Sequence, residues 1–330
     1  LRSETAASPE RRAAALAGLK AYQEAQRPLE RAPKPAIASA GRASLRDYGG
    51  SGPAVVFVPS LINPPFILDL APGNSLLEWL ATQGLRPLLV DWGTPGPEDR
   101  DQGVDHHITE LLLPLLDALD APPLLAGYCL GGTLAMAAAM LRPVRGLVTI
   151  AAPWRFRLYG DLARAAIAAQ WEAAQPACQQ LGLVPMEVLQ SGFWQLDPAR
   201  TIAKFERFAR AEPGSAQAAA FVALEDWANA GAPLTYAAGE EMFERFFRAD
   251  RPGSGRWWVG GTRILPSRLA CPATELLSTT DRIVPAATAA GLPERQSLAL
   301  GHVGMIVGGR ARTMVWEPLR DWFLAAAHTR

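Results

Sequence analysis

The chain is poor in the residues that staple small secreted proteins or build metal sites. It has three cysteines, Cys129, Cys178 and Cys271, widely spaced and odd in number. None stands in a C-x-x-C pair or a Cys/His cluster, which argues against a disulfide framework and a zinc site. Histidine is also scarce, with four residues at 106, 107, 302 and 328, so imidazole chemistry has few candidates. No excess of either charge exists: 32 basic residues face 32 acidic ones at a pI near 7.1. That balance leaves no global field to draw the chain to nucleic acid or to an anionic membrane. No run of about 18 apolar residues marks a transmembrane segment, and the opening LRSETAASPERRAAAL lacks the apolar core of a secretory signal. A cytoplasmic protein is the expectation. Internal repeats are absent, and the only compositional bias is alanine.

What is present suffices for a large core, since 49% of the 330 residues are hydrophobic. Residues 10–26 predict a peripheral helix, closed by Pro28, Pro33 and Pro35. Arg42–Tyr48 alternates weakly and predicts an edge strand. Ala54–Val58 is a continuous apolar run of the kind that fills a buried parallel strand. After it, Leu76–Gln83 predicts a helix with Gly84 as its stop, Leu85–Trp92 a strand, Asp105–Leu119 a helix that starts at the surface with His106 and His107, and Val144–Ala151 another strand. This alternation points to an α/β fold, a mostly parallel sheet with helices on both faces. From Trp154 to about Arg263 the pattern turns helical with no strand-like interruption, which predicts an inserted cap. It would lie over the carboxyl ends of the strands with its Trp and Phe residues split between cap core and pocket wall, Trp171, Trp194 and Trp227 being expected mainly in the core. Strands resume at Cys271–Ser278 and Arg295–Leu300, and a helix at 310–327 ends the chain. The division is thus an N-terminal helix and linker (1–41), a core (42–153 and 264–330) and a helical cap (154–263).

The stretch LLAGYCLGGTLAMAAAML, residues 124–141, carries the chemistry. Gly127-Tyr128-Cys129-Leu130-Gly131 is a G-x-C-x-G turn between a strand and a helix, the pattern of a nucleophile elbow with cysteine as nucleophile. A helix opening at Leu130 aims its free amides and positive end at the sulfur, which favours a thiolate and an oxyanion. The second oxyanion donor is expected from the loop after Ala54–Val58, at Leu61 or next at Ile62. A base is then needed. His328 lies at the chain end and His106 and His107 stand together before the nucleophile's strand, whereas His302 follows an apolar strand within G-H-V-G. Asp281, in the loop after ELLS, is the best acid to orient it. Asp250 and Asp226 fall in the cap, and Asp91 and Asp69 are better suited to holding loops. The order Cys129, Asp281, His302 is that of α/β-hydrolases.

Several separated motifs, VFVPSLINPPFILDL, NSLLEWLATQGLRPLLVDWG, LLAGYCLGGTLA, STTDRIVP and GHVGMIVGG, together resemble the polyhydroxyalkanoate synthases, in particular the short chains that work with a second subunit. GYCLGG alone is similar to dienelactone hydrolases as well; the INPPFILDL loop and the DWG strand end favour the synthases. The likeness spans residues 42–324. It departs from the family at Arg282, where a histidine usually follows the acid, and it is loose through the cap. The resemblance implies an α/β-hydrolase core with a mobile cap, a 3-hydroxyacyl-CoA substrate, Cys129 as carrier of the acyl chain, His302 as base and Asp281 as its partner or as an activator of the incoming hydroxyl. It implies no cofactor beyond the CoA that enters and leaves with substrate, a homodimer or partner subunit, and work at polyester granules. Acyl transfer is the first reading. Hydrolysis of an ester, thioester or polyester by the same residues is the second, and a catalytically silent scaffold the third.

Overall fold

Eight strands form one sheet in the computed structural model, which describes residues 5–27 and 31–328, without the side chains of 193–196. Pro28 and the side chain of Trp194 therefore lie outside the described residues. In chain order the strands are β1 (Ala36–Ala40), β2 (Ala43–Asp47), β3 (Ala54–Val58), β4 (Arg86–Asp91), β5 (Leu124–Tyr128), β6 (Gly146–Ile150), β7 (Ala273–Ser278) and β8 (Glu294–Leu298). Their spatial order is β1-β2-β4-β3-β5-β6-β7-β8. The β1/β2 and β2/β4 pairs are antiparallel, and every pair from β4 to β8 is parallel.

The continuous apolar runs are explained by burial on both faces. Along β3, Val56 and Val58 join one core, while Val55 and Phe57 join the core on the other face. On the first face lies α4 (Leu130–Leu141), whose alanines and glycines let it settle close to the strands. On the second lies α9 (Glu317–His328), where Phe323 meets Phe57 edge-on at 6.2 Å. Between β3 and β5 the chain forms α2 (Leu76–Ala81), capped by Ser75, and α3 (104–117). Pro114 cannot donate to the preceding turn, and α3 widens to π spacing over His107–Leu112 just before it.

The cap is built mainly from α5 (Asp161–Leu181), α6 (Met186–Leu196), α7 (Pro198–Phe208) and α8 (Ala216–Asn229). Start signals are explicit: Asp197 accepts from the Arg200 amide ahead of α7, with Pro198 in its first turn, and Ser215 accepts from the Ala218 amide ahead of α8. Trp171 stacks on Phe243 at 4.7 Å inside the cap. The first helix, α1 (Pro9–Glu24), packs on α7, where Gly18 sits so close to the Phe205 carbonyl that a Cβ would run into it. Arg11 pairs with Glu206 at 2.8 Å, and the Tyr22 hydroxyl donates to Asp226 at 2.6 Å.

Three expectations are corrected. Residues 42–48 hold an interior strand, β2; the edge is β1, an alanine-rich piece of the segment read as linker. The cap is interrupted by two short ladders, Leu183–Val184 with Leu234–Thr235 and Trp258–Val259 with Thr262–Arg263. His107 is not on the surface: it is 3% exposed, its Nδ1 donates to the Gly103 carbonyl at 2.7 Å, and the Arg42 guanidinium donates to its Nε2 at 2.6 Å.

Burial, reinforced by the Arg42 charge and opposed by the Gly103 carbonyl, pushes the His107 imidazole down to about 4. The unfolded chain therefore takes up a proton near pH 6.5 that the folded chain refuses. Stability is expected to fall as pH drops from about 6.5 to about 4. In urea titrations across that window, His107→Gln should flatten the fall by up to about 1.4 kcal/mol per pH unit.

Candidate active site

Cys129 follows directly on β5, the fifth strand in the sheet, and is the residue before α4. Its backbone adopts φ 56° and ψ −134°, a conformation that L side chains rarely take, and its N–H donates to the Ile150 carbonyl of β6 at 2.9 Å. The tightness of the turn accounts for the flanking glycines. A Cβ at Gly127 would strike the Gly132 backbone, and one at Gly131 would strike the Val58 carbonyl at the end of β3. The sulfur is thereby presented at the carboxyl edge of the sheet, where ligands of open parallel sheets bind.

The other two members arrive on loops at the same edge. Asp281 follows β7, and its Oδ1 accepts from the amides of Ile283 and Val284 at 2.7 and 2.9 Å. Its Oδ2 accepts from His302 Nδ1 at 2.5 Å, and the carboxylate side chain is fully buried. His302 follows β8. The Tyr128 hydroxyl donates to its carbonyl at 3.3 Å, and the two rings lie 5.0 Å apart. With Nδ1 held by Asp281, Nε2 is left to face the cavity wall that His302 shares with Cys129. Burial disfavours the imidazolium, but the Cys129 sulfur and the Asp281 carboxylate outweigh it and push His302 up to about 10.

The Leu130 amide lies at the N-terminus of α4 and has no protein acceptor among the described residues. In the loop after β3, the Ile62 amide donates to Ser60 Oγ at 3.1 Å, whereas that of Leu61 has no protein acceptor among the described residues. The arrangement suits a nucleophile attacking a carbonyl whose developing negative charge turns towards those amides.

Two cavities that share lining residues lie at this edge, and Cys129 borders the smaller. An inner chamber of about 190 Å³ is walled by Cys129 and His302, by Ser60, Ile62, Asn63 and Ile67 from the core, and by Gln190, Thr201, Lys204 and Trp227 from the cap. A vestibule of about 560 Å³ shares Thr201, Lys204, Trp227 and His302 with it and extends along α7 to Arg200 and Arg207. Trp227 is thus both packing and wall, its indole N–H donating to the Pro64 carbonyl at 2.9 Å. Arg282 pairs with Asp197 at 2.6 Å and Lys204 with Glu225 at 2.6 Å, whereas Arg200 and Arg207 have no ion pair among the described residues.

The fallback acids lie apart. Asp250 accepts from the Phe156 amide at 2.8 Å, and Asp226 is occupied by Tyr22 and Arg27. Asp91 pairs with Arg46 and Asp69 with Arg31, as loop holders. Sequence reasoning placed cap aromatics in the pocket wall but missed the cap's polar and cationic side chains. The spacing of Arg200, Lys204 and Arg207 at i, i+4 and i+7 on one helix face was the available signal. Among the described residues no His/Cys/Asp/Glu cluster could hold a metal ion, and no helix is long and apolar enough to cross a membrane.

A family model described as the alpha/beta hydrolase family matches residues 55–310, and the chain belongs to that family. Among curated proteins it is similar to those named poly(3-hydroxyalkanoate) polymerase subunit PhaC. It is 26% identical to that of Haloferax mediterranei over 292 residues, 83% of this chain and 59% of the relative. It is 25% identical to that of Allochromatium vinosum over 285 residues, 81% of this chain and 79% of the relative. The chain spans 59% and 60% of the length of the two haloarchaeal relatives. Of solved structures, the monoacylglycerol lipase of Paleococcus ferrophilus superposes with a TM-score of 0.51 at 13% identity, over 86% of this chain and 99% of that one. The Mycobacterium tuberculosis protein Rv0554 does so with a TM-score of 0.51 at 17% identity, over 86% and 93%. These two likenesses are likenesses of fold.

Because its folded value is raised, His302 contributes stability that is complete below about pH 6.5 and lost as pH rises through about 10. Asp281→Asn removes one of the groups that favour the imidazolium. An imidazole NMR titration should then place His302 about 1–3 units lower than in the wild type.

Proposed function

We propose that the chain is a polyhydroxyalkanoate synthase-like acyltransferase, which takes a 3-hydroxyacyl group from coenzyme A onto Cys129 and passes it to a hydroxyl. The observation that carries this reading is a thiol at the elbow that shares a cavity wall with His302, itself held by Asp281, in a chain similar to polymerase subunits over 81% of its length.

In this mechanism His302 Nε2 takes the thiol proton, and the thiolate attacks the acyl carbonyl. The amides of Leu130 and Leu61 meet the oxyanion, while that of Ile62 remains on Ser60. Collapse expels the CoA thiolate, which leaves with the proton held by His302. His302 then accepts the proton of an incoming hydroxyl as its oxygen attacks the acyl-cysteine, and the proton returns to the departing sulfur. Asp281 fixes the Nδ1–H tautomer and offsets the imidazolium charge in both halves. A 3-hydroxyl as second nucleophile lengthens an ester chain. Water in its place gives hydrolysis, a second reading favoured by the vestibule that leads from His302 along α7.

Arg200 and Arg207, without ion pairs in the vestibule wall, suit the phosphates of a CoA leaving group. The word "subunit" in the relatives' names supports a second subunit or a homodimer as partner. Insoluble polyester product would place the enzyme at granule surfaces in the cytoplasm. No metal, separate cofactor or nucleic acid enters this reading.

Purified protein given 3-hydroxybutyryl-CoA should release CoA and yield ester oligomer or polymer, and Cys129→Ala should lower release by about 10³-fold or more. Free 3-hydroxybutyrate equal to the CoA released would make the chain a hydrolase. Replacing both vestibule arginines, as Arg200→Ala/Arg207→Ala, should raise KM for the CoA thioester severalfold at low salt and less at high salt. Turnover of p-nitrophenyl butyrate, which has no phosphates, should stay unchanged.

A further inference from the structure

The inner chamber holds one cation apart from His302 among the described residues, and the acyl-transfer steps above leave it idle. Lys204 of α7 borders both the chamber and the vestibule. Its ammonium donates one N–H to Glu225 Oε2 at 2.6 Å, and Glu225 is 5% exposed. The other two N–H bonds have no protein acceptor among the described residues. Most of the remaining polar side chains of the chamber are committed. Ser60 Oγ accepts from Ile62, Thr201 Oγ1 donates to the Asp197 carbonyl at 3.1 Å, and Gln190 Nε2 donates to the Ala228 carbonyl at 3.0 Å.

The geometry points to Lys204 as a specificity-determining residue that donates to an oxygen at C3 of the acyl group carried by Cys129. This rests on the acyl-transfer reading and adds to it the choice of acyl group. The ion pair with Glu225 sets the chemistry of that choice. The pair is neutral overall, so it suits an uncharged acceptor such as a 3-hydroxyl or its ester, whereas a substrate carboxylate would meet the charge of Glu225. A half-buried ammonium with spare donors, its side chain 26% exposed, also penalises a plain alkanoyl chain, which would strip water from it and return nothing. A hydroxyl two carbons from the carbonyl lies within one side chain's reach of the sulfur, and Lys204 and Cys129 wall the same 190 Å³.

The test compares single-turnover acylation of Cys129 by 3-hydroxybutyryl-CoA and by butyryl-CoA, which differ by that oxygen alone. The proteins are the wild type, Lys204→Met, and Lys204→Met/Glu225→Gln, the last so that no carboxylate is left buried without its partner. The wild type should favour the hydroxyacyl group by about tenfold or more. Both variants should lose that preference, through a slower 3-hydroxybutyryl rate, a faster butyryl rate or both, while the labelling of Cys129 by iodoacetamide stays within about twofold of wild type. A preference that survives the substitutions, or is absent from the wild type, overturns the proposal. So does an equal fall for both acyl groups together with slower iodoacetamide labelling, which would assign Lys204 to general support of the thiol. If neither CoA thioester acylates any of the proteins, the acyl-CoA reading fails. The p-nitrophenyl esters of the same two acids then decide the role of Lys204 by the same ratio.

Discussion

The carbonyl of Val58 and the backbone of Gly131 lie so close that nothing larger than hydrogen fits between β3 and the start of α4. That contact lets α4 begin immediately after β5 and forces the residue at the joint into a left-handed conformation, which costs on the order of 1–3 kcal/mol for a residue with a side chain. The cost is met by the buried sheet on either side, and its effect is chemical. A cysteine in ordinary strand geometry would turn its sulfur into one of the two cores. Here Cys129 is only partly buried against one of them, beside the unpaired amides that open a helix. The loops after β3, β7 and β8 then have a fixed point to converge on.

Electrostatics divides labour between two buried histidines in opposite directions. His107 is paired with a guanidinium and a carbonyl and is held neutral, so it serves α3 as a rigid polar link. His302 is surrounded by a sulfur and a carboxylate and is held towards its charged form. Burial acts against charge on both; the sign of the neighbours decides. Asp281 can do this because two backbone amides hold one of its oxygens and leave the other for the imidazole.

Much of the core was legible because its signals are local. Runs such as Ala54–Val58 can hardly be other than buried strands, and G-x-C-x-G between strand and helix has one sterically acceptable form. Cys129, Asp281 and His302 stood out by chain order, and the structure brings them together. What escaped depends on distant partners. Ala36–Ala40 carries almost no strand propensity and pairs only because β2 offers an open edge. The burial of His107 is invisible without Arg42, 65 positions earlier in the chain. The share of the cap's polar residues in the site was hidden because an amphipathic helix reads the same whether its polar face meets bulk water or a chamber.

The packing of α1 on α7 gives the chain's first helix a leverage out of proportion to its position. With Gly18 against the Phe205 carbonyl and Tyr22 tied to Asp226, α1 grips α7 and α8 from behind, on the side away from the sulfur. Those helices present Lys204 and Trp227 to the chamber. Whatever binds or tethers Pro9–Glu24 therefore bears, through α7 and α8, on the far wall of the reaction chamber.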